Sequence, residues 1–341
     1  MVSLPAVLRS NSLIPSTLPP KLVALFVGAT SGIGEASLLA FAKTAVKPRA
    51  YFIGRSQTAA DRILAECRSL NPAGEFIFIQ KDVSLIRNVD EVCKEIKAKE
   101  KFINIMVLSA GVPVMDRRLT SENLHLLTAT TYYSRLRFIA NLLPLLRYSP
   151  SPLSHVVFVA GGGREGPLDS TDFPALRVPL LQIRGHLTSL ITLGLEAVAK
   201  LAPEVTFVHD YPGTVKTPLM DHMDGLHGFV IRTYVALLGR WVCVPVEESG
   251  ERHLYLATSA RYPPAKGGEA GIGVEEGVTG VAVGSTGEVG SGVYSVGWDC
   301  ESSGPQVIEL LAGLREKGMV EEVWKHTEGE FERITGVSKG I

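Results

Sequence analysis

Neither sign of charge dominates this 341-residue chain: 34 Lys and Arg stand against 35 Asp and Glu, a formal net charge of −1. That balance leaves no basic face for nucleic acid and no polybasic anchor for a membrane surface. Cysteine is scarce too. Cys67, Cys93, Cys243 and Cys300 are far apart, form no CxxC pair and have no histidine cluster beside them. A disulfide framework and a zinc site are therefore not expected, and reduced thiols in a cytoplasmic protein are. Long apolar runs are missing as well: residues 228–246 carry Arg232, Arg240 and Pro245, too interrupted for a membrane span. The first twenty residues, punctuated by Ser and Pro, lack the apolar centre of a signal peptide and read as a flexible tail. What is present is a 45% hydrophobic, 20% charged composition, which excludes disorder and provides for a large packed core.

Short apolar runs at 22–27, 50–54, 75–80, 103–109, 155–160 and 205–209 alternate with helical patterns near 33–45, 58–70, 87–99, 121–147 and 180–201. Strands apolar on both faces, separated by helix-length crossovers, describe an α/β protein with a doubly wound parallel sheet of Rossmann type. A dinucleotide-binding core is expected over 21–217. A helical substrate lobe and tail follow over 218–341, with helices near 218–244, 247–258, 305–318 and 320–335 and an edge strand at 293–296. Residues 265–292 hold ten glycines and read as a flexible insertion.

The sharpest local signal is Gly28-Ala-Thr30-Ser31-Gly32-Ile33-Gly34, placed between the first strand and the first core helix. Gly28 suits a tight turn, Gly32 lets backbone approach a phosphate, and Gly34 lets helix and strand pack closely. The helix N-terminus offers free N–H groups and the positive end of its dipole to a pyrophosphate.

This Gly-x-x-x-Gly-x-Gly spacing resembles that of the short-chain dehydrogenase/reductase family. Further matches follow in order: Asp82-Val83, Ser109-Ala110-Gly111, Asn141-Leu-Leu-Pro144, and Pro212-Gly213-Thr214-Val215-Lys216-Thr217. The resemblance covers roughly residues 21–260. It implies that Asp82 and Val83 touch the adenine, that Ser109, Ala110 and Gly111 line the cofactor, and that Pro212, Gly213, Val215 and Thr217 cradle the nicotinamide amide. Thr30, Ser31 and Ile33 join the phosphate turn. At the end of the second strand an acidic residue would bind the ribose of NAD. Here Arg55 and Ser56 stand instead, and Arg55 suits the 2′-phosphate of NADP(H).

The catalytic residues depart from the family pattern. Its Ser would fall near Gly161, its Tyr at Leu180, its Lys at Arg184 and its helix Asn near Thr131 or Tyr132. The one Tyr-x-x-x-Lys, Tyr262 to Lys266, contains two prolines that forbid the required helix. Arg184 is left as a candidate for the cofactor ribose, although it cannot relay protons. Tyr132 and Tyr133 are candidate phenols, or else packing residues. His186 reads as structural. Arg164 and Glu165 either border the pocket or form a solvated loop pair. Tyr211 lies near the expected nicotinamide, and His222, Met223 and His227 fall in the lid.

The resemblance implies an NADP(H)-dependent oxidoreductase acting on a small lipophilic carbonyl or olefin. The stretches from Tyr132 and from Glu248 resemble a fungal branch associated with secondary metabolites. A redox-neutral isomerase or cyclase, or a non-catalytic nucleotide-binding protein, remains open on the same fold. A homodimer is the family default, with no nucleic-acid partner, no membrane anchor and no metal.

Overall fold

The computed structural model describes residues 1–112, 116–149, 151, 153–217, 243–268, 270–274 and 279–338. Its centre is a seven-stranded sheet in which every neighbouring pair is parallel: β1 (Val23–Val27), β2 (Arg49–Gly54), β3 (Glu75–Gln80), β4 (Ile105–Leu108), β5 (His155–Val159), β6 (Thr206–Asp210) and β7 (Val293–Val296). The order is β3-β2-β1-β4-β5-β6-β7. Strands β1, β4, β5, β6 and β7 are buried along their whole length, as continuous apolar runs require when helices cover both faces. The chain reverses direction across the sheet between β1 and β4, which opens a crevice at their C-terminal ends.

The crossovers are α3 (Gly32–Thr44), α4 (Gln57–Leu70), α5 (Ile86–Lys99) and α8 (Leu180–Leu201). Between β4 and β5 the long helical pattern is divided. A short helix α6 (Leu126–Thr128) leads into a π-helical turn at Ala129–Tyr133, and α7 (Ser134–Arg147) continues it. Beyond β6 come α9 (Val246–Thr258), α10 (Pro305–Glu316) and α11 (Met319–Thr335). The expected helix near 218–244, with His222, Met223 and His227, falls almost wholly in 218–242, outside the described residues.

Two expectations of flexibility are corrected. Residues 1–20 are an ordered element: α1 (Leu4–Ser12) and α2 (Ile14–Thr17) carry their prolines in the first turn, where no N–H is lost. Val2, Val7 and Ile14 are buried. Asn11 Nδ2 donates to Glu251 Oε2 at 2.7 Å, and Arg252 Nη1 donates to the Val2 carbonyl at 3.1 Å, which seats this segment on α9. The described part of 265–292 is packed as well. Ala282 N–H bonds the Arg261 carbonyl at 2.8 Å and Ser285 Oγ bonds Glu196 at 2.7 Å. A Cβ at Gly271 would stand 2.1 Å from the Thr258 carbonyl oxygen, so that glycine allows close approach rather than looseness.

Candidate active site

The crevice between β1 and β4 is a cleft of about 290 Å³. It is lined by Gly28, Thr30, Ser31, Gly32, Ile33, Gly34, Arg55, Asp82, Val83, Ser109, Ala110, Gly111 and Thr217 among others. Gly28 has φ +88°, and a Cβ there would stand 2.4 Å from Ala110 N. At Gly34 a Cβ would lie 2.5 Å from both the Gly28 carbonyl oxygen and Ser109 Oγ. Only hydrogen side chains let α3 begin so close to the sheet. Ser31, at the N-cap, makes no side-chain cap bond, so the first N–H groups of α3 face the cleft without that partner. This is a cradle for a phosphate, and it fits a dinucleotide.

At the end of β2, exposed Arg55 lines the cleft, and its strand end carries no carboxylate. Ser56 instead caps α4, accepting from Ala59 N–H at 3.2 Å, and is off the lining. Asp82 Oδ1 accepts from Ser84 N–H at 3.0 Å. Sequence reasoning missed Lys81, Leu126 and Thr130, which also line the cleft. Lys81 and Ser84 flank the Asp-Val pair, and Leu126 and Thr130 share a helix face four residues apart. That spacing was the available signal.

On the other side of the crevice the turn after β5 is sealed by glycine contacts. A Cβ at Gly161 would stand 2.5 Å from Thr188 Oγ1, and one at Gly162 would meet the His209 carbonyl oxygen at 2.1 Å. Gly166 and Gly185 leave room for only a hydrogen between them, since a Cβ on either would stand 2.9 Å from the other's Cα. The loop therefore lies directly on α8. Below it, Gly161 N–H donates to His209 Nε2 at 3.1 Å. His209 Nδ1 consequently carries the hydrogen and meets Thr192 Oγ1 at 2.8 Å. Thr192 Oγ1 and Ser295 Oγ both donate to Glu165 Oε1, at 2.8 and 2.6 Å. Burial pushes the Glu165 carboxyl up from its ordinary value and the His209 imidazole down to about 3. Glu165, open in the sequence between pocket border and solvated loop, is a core residue: its side chain is 0% exposed.

A short chain dehydrogenase family pattern matches residues 22–162. Across 98% of each chain the sequence is 36% identical to the oxidoreductase andH of Emericella variicolor. It is 31% identical to the short-chain dehydrogenase/reductase SAT2 of Stachybotrys chartarum, covering 90% of both. The chain belongs to the short-chain dehydrogenase/reductase family. The L-sorbose reductase of Gluconobacter frateurii, solved with NADPH and L-sorbose, shares the fold at TM-score 0.53 and 15% identity, over 70% of this chain and 90% of that one.

Tyr132 and Tyr133 are not cleft phenols. Both are fully buried on the π-turn, where Tyr132 Oη bonds Thr327 Oγ1 and Tyr133 Oη bonds His326 Nε2, each at 2.7 Å. The docking of α11 turns both rings away from the crevice, and burial raises both phenols. Arg184 is exposed, and its guanidinium lies 4.8 Å from the Tyr211 ring centroid, off the cleft lining. Pro212, Gly213 and Val215 are also off that lining. His186 is buried, accepting from Asp169 N–H and facing the Phe173 carbonyl, both at 3.2 Å. Tyr262 donates to the Cys300 carbonyl at 2.6 Å inside the core.

Arg135 is a side chain that sequence reading passed over. It is fully buried on α7, with Nη1 donating to the Leu108 and Val159 carbonyls at 2.8 and 2.7 Å and Nε to the Ala110 carbonyl at 3.0 Å. Its guanidinium sits 4.8 Å from the Phe158 ring centroid. One cation thus ties the end of β4, which forms the cleft wall, to the end of β5. Burial lowers it to about 9, with Asp210 pulling in the other direction.

Proposed function

We propose that this chain is an NADP(H)-dependent oxidoreductase of fungal secondary metabolism, acting on a small lipophilic carbonyl or olefin. Arg55 carries the reading: a guanidinium at the β2 end, lining the cleft where a ribose-binding carboxylate would otherwise repel a 2′-phosphate. The free N–H groups of α3 hold the pyrophosphate, Asp82 and Val83 flank the adenine, and Thr217 closes over Gly32. A Cβ on Gly32 would stand 2.9 Å from Thr217 Cγ2. The nicotinamide, when bound, supplies the hydride. The protein orients the acceptor, and the proton comes from water, because Tyr132 and Tyr133 are engaged by α11. Lacking a dedicated acid slows such a step by about 10²–10⁴-fold without preventing it. The unpaired cysteines support a cytoplasmic site of action. No helix among the described residues is long and apolar enough to cross a membrane.

A redox-neutral isomerase or cyclase is the second reading, favoured by one observation. Neither Gly161 nor Leu180 provides the family hydroxyls, and Thr188 fills the space before Gly161. Single-turnover absorbance at 340 nm with NADPH-loaded protein and a panel of lipophilic ketones and enones separates the two. Loss of NADPH matched by a two-hydrogen mass gain is the expected result. Product of unchanged mass with NADPH intact favours the isomerase.

A further inference from the structure

We propose that the substrate is an amphiphilic anion, a lipophilic carbonyl compound bearing a carboxylate, anchored by Arg164 and Arg184 on the Tyr211 ring. The proposal deepens the oxidoreductase reading and rests on it for the reaction, though not for the binding. Beside the Pro212-Gly213 turn lies a second cleft, lined by Arg164, Tyr211, Gly213, Val244, Pro245 and Trp298 among others. Its wall is apolar where Val244, Pro245 and Trp298 meet. Gly213, at φ +77°, lets that wall close, since a Cβ there would contact Val244 Cγ2 at 3.1 Å and Trp298 Cβ at 3.2 Å.

The charges in this cleft are unequal in their pairing. Arg252 lies over Trp298 and is neutralised by Glu248, with Nη2 to Oε1 at 2.7 Å. Arg164 lines the cleft, whereas Arg184 does not line it and reaches it only through the Tyr211 ring that both share. Both are exposed, with guanidiniums 5.1 and 4.8 Å from the Tyr211 centroid. Among the described residues neither has a carboxylate partner. The acid nearest in sequence, Glu165, is turned into the core and committed to Thr192 and Ser295. Two like charges gathered on one ring, in a half-apolar setting, repel each other until an anion joins them. The planar forks of arginine suit a carboxylate, and an aromatic platform removes much of their freedom to move before binding. An apolar wall beside two guanidiniums that have no carboxylate partner among the described residues is complementary to a hydrophobic acid, whereas a neutral ketone would use only half of it.

The test compares 4-oxo-4-phenylbutanoate with its methyl ester, titrated by calorimetry into cofactor-free protein and into NADPH-loaded protein. The acid is expected to bind at least ten-fold more tightly than the ester, with the ratio shrinking as salt is raised. Arg164→Met and Arg184→Met should each remove most of that ratio and leave NADPH affinity within about two-fold. Circular dichroism verifies that both variants fold, and both positions are exposed. Equal affinity for acid and ester overturns the proposal. So does an unchanged ratio in both variants, or a loss confined to NADPH binding, which would return Arg184 to the cofactor ribose. Acid-over-ester preference in a protein that fails to bind NADPH would overturn the nucleotide reading and keep this one.

Discussion

The two halves of the sheet face one crevice and have been treated differently. From β1 to β4 the turn that lines the cleft is closed by backbone: a Cβ on Gly28 or Gly34 would meet backbone atoms at 2.4–2.5 Å. From β5 to β6 the turn is packed largely by side chains instead: Thr188 against Gly161, a Gly166–Gly185 contact and the Glu165–Thr192–His209 network. A close-packed backbone turn tolerates no added side chain. Side-chain tips on the other side can be exchanged where the packing behind them is rebuilt.

The largest way to break this comparison is at the joint between the halves. Arg135→Met leaves the Leu108, Ala110 and Val159 carbonyls without their cation, and should cost on the order of 3 kcal/mol. Thermal unfolding should fall by roughly 4 °C, and NADPH binding should weaken as the β4 end loosens. An unchanged melting temperature would show that the halves are not tied there. Next in size, Arg55→Asp should weaken NADPH by roughly 10–100-fold, the loss of a charge-assisted pair, and narrow or reverse the preference over NADH. Nucleotide fluorescence titration measures both.

A pH experiment sharpens the contrast on the β5–β6 side. His253 Nε2 lies 3.1 Å from Asp210 Oδ2, both buried. Burial opposes the imidazolium, yet the Asp210 charge and its hydrogen bond prevail and raise the His253 value. A raised folded value stabilises the native state fully below the unfolded value near 6.5 and loses that contribution as pH rises through the folded one. The melting-temperature gap between wild type and His253→Gln should therefore be widest below about pH 6.5 and narrow on the alkaline side. A gap that widens with pH would reverse the sign and show His253 held neutral. The smallest effect is expected from Tyr132→Phe: about 1 kcal/mol of stability and unaltered single-turnover NADPH oxidation. A large kinetic loss there would return a phenol to the chemistry.

The sheet was legible because its strands are contiguous apolar runs, and Glu75–Gln80, Val293–Val296 and Leu180–Leu201 have the limits their hydropathy suggests. The glycine turn was legible because its spacing reflects contacts within a dozen residues. Tyr132 and Tyr133 were not, because their partners, Thr327 and His326, lie 195 and 193 positions away. A π-turn further shifts their angular position on the helix. Arg135 reads as a surface charge in any local window, and only the convergence of β4, β5 and α7 supplies the carbonyls that let it be buried.

By itself, then, the sequence determined the order of the core strands and their crossover helices and the glycine turn, since these arise from interactions between near neighbours in the chain, whereas the N-terminal helices α1 and α2 were not legible in it. The tertiary structure alone decided which ionisable groups face the crevice. It sent Glu165 inward, turned the two tyrosines toward α11 and set Arg164 and Arg184 on one ring. Where a side chain points is settled by what distant segments pack against it, and desolvation then dictates which charges can remain.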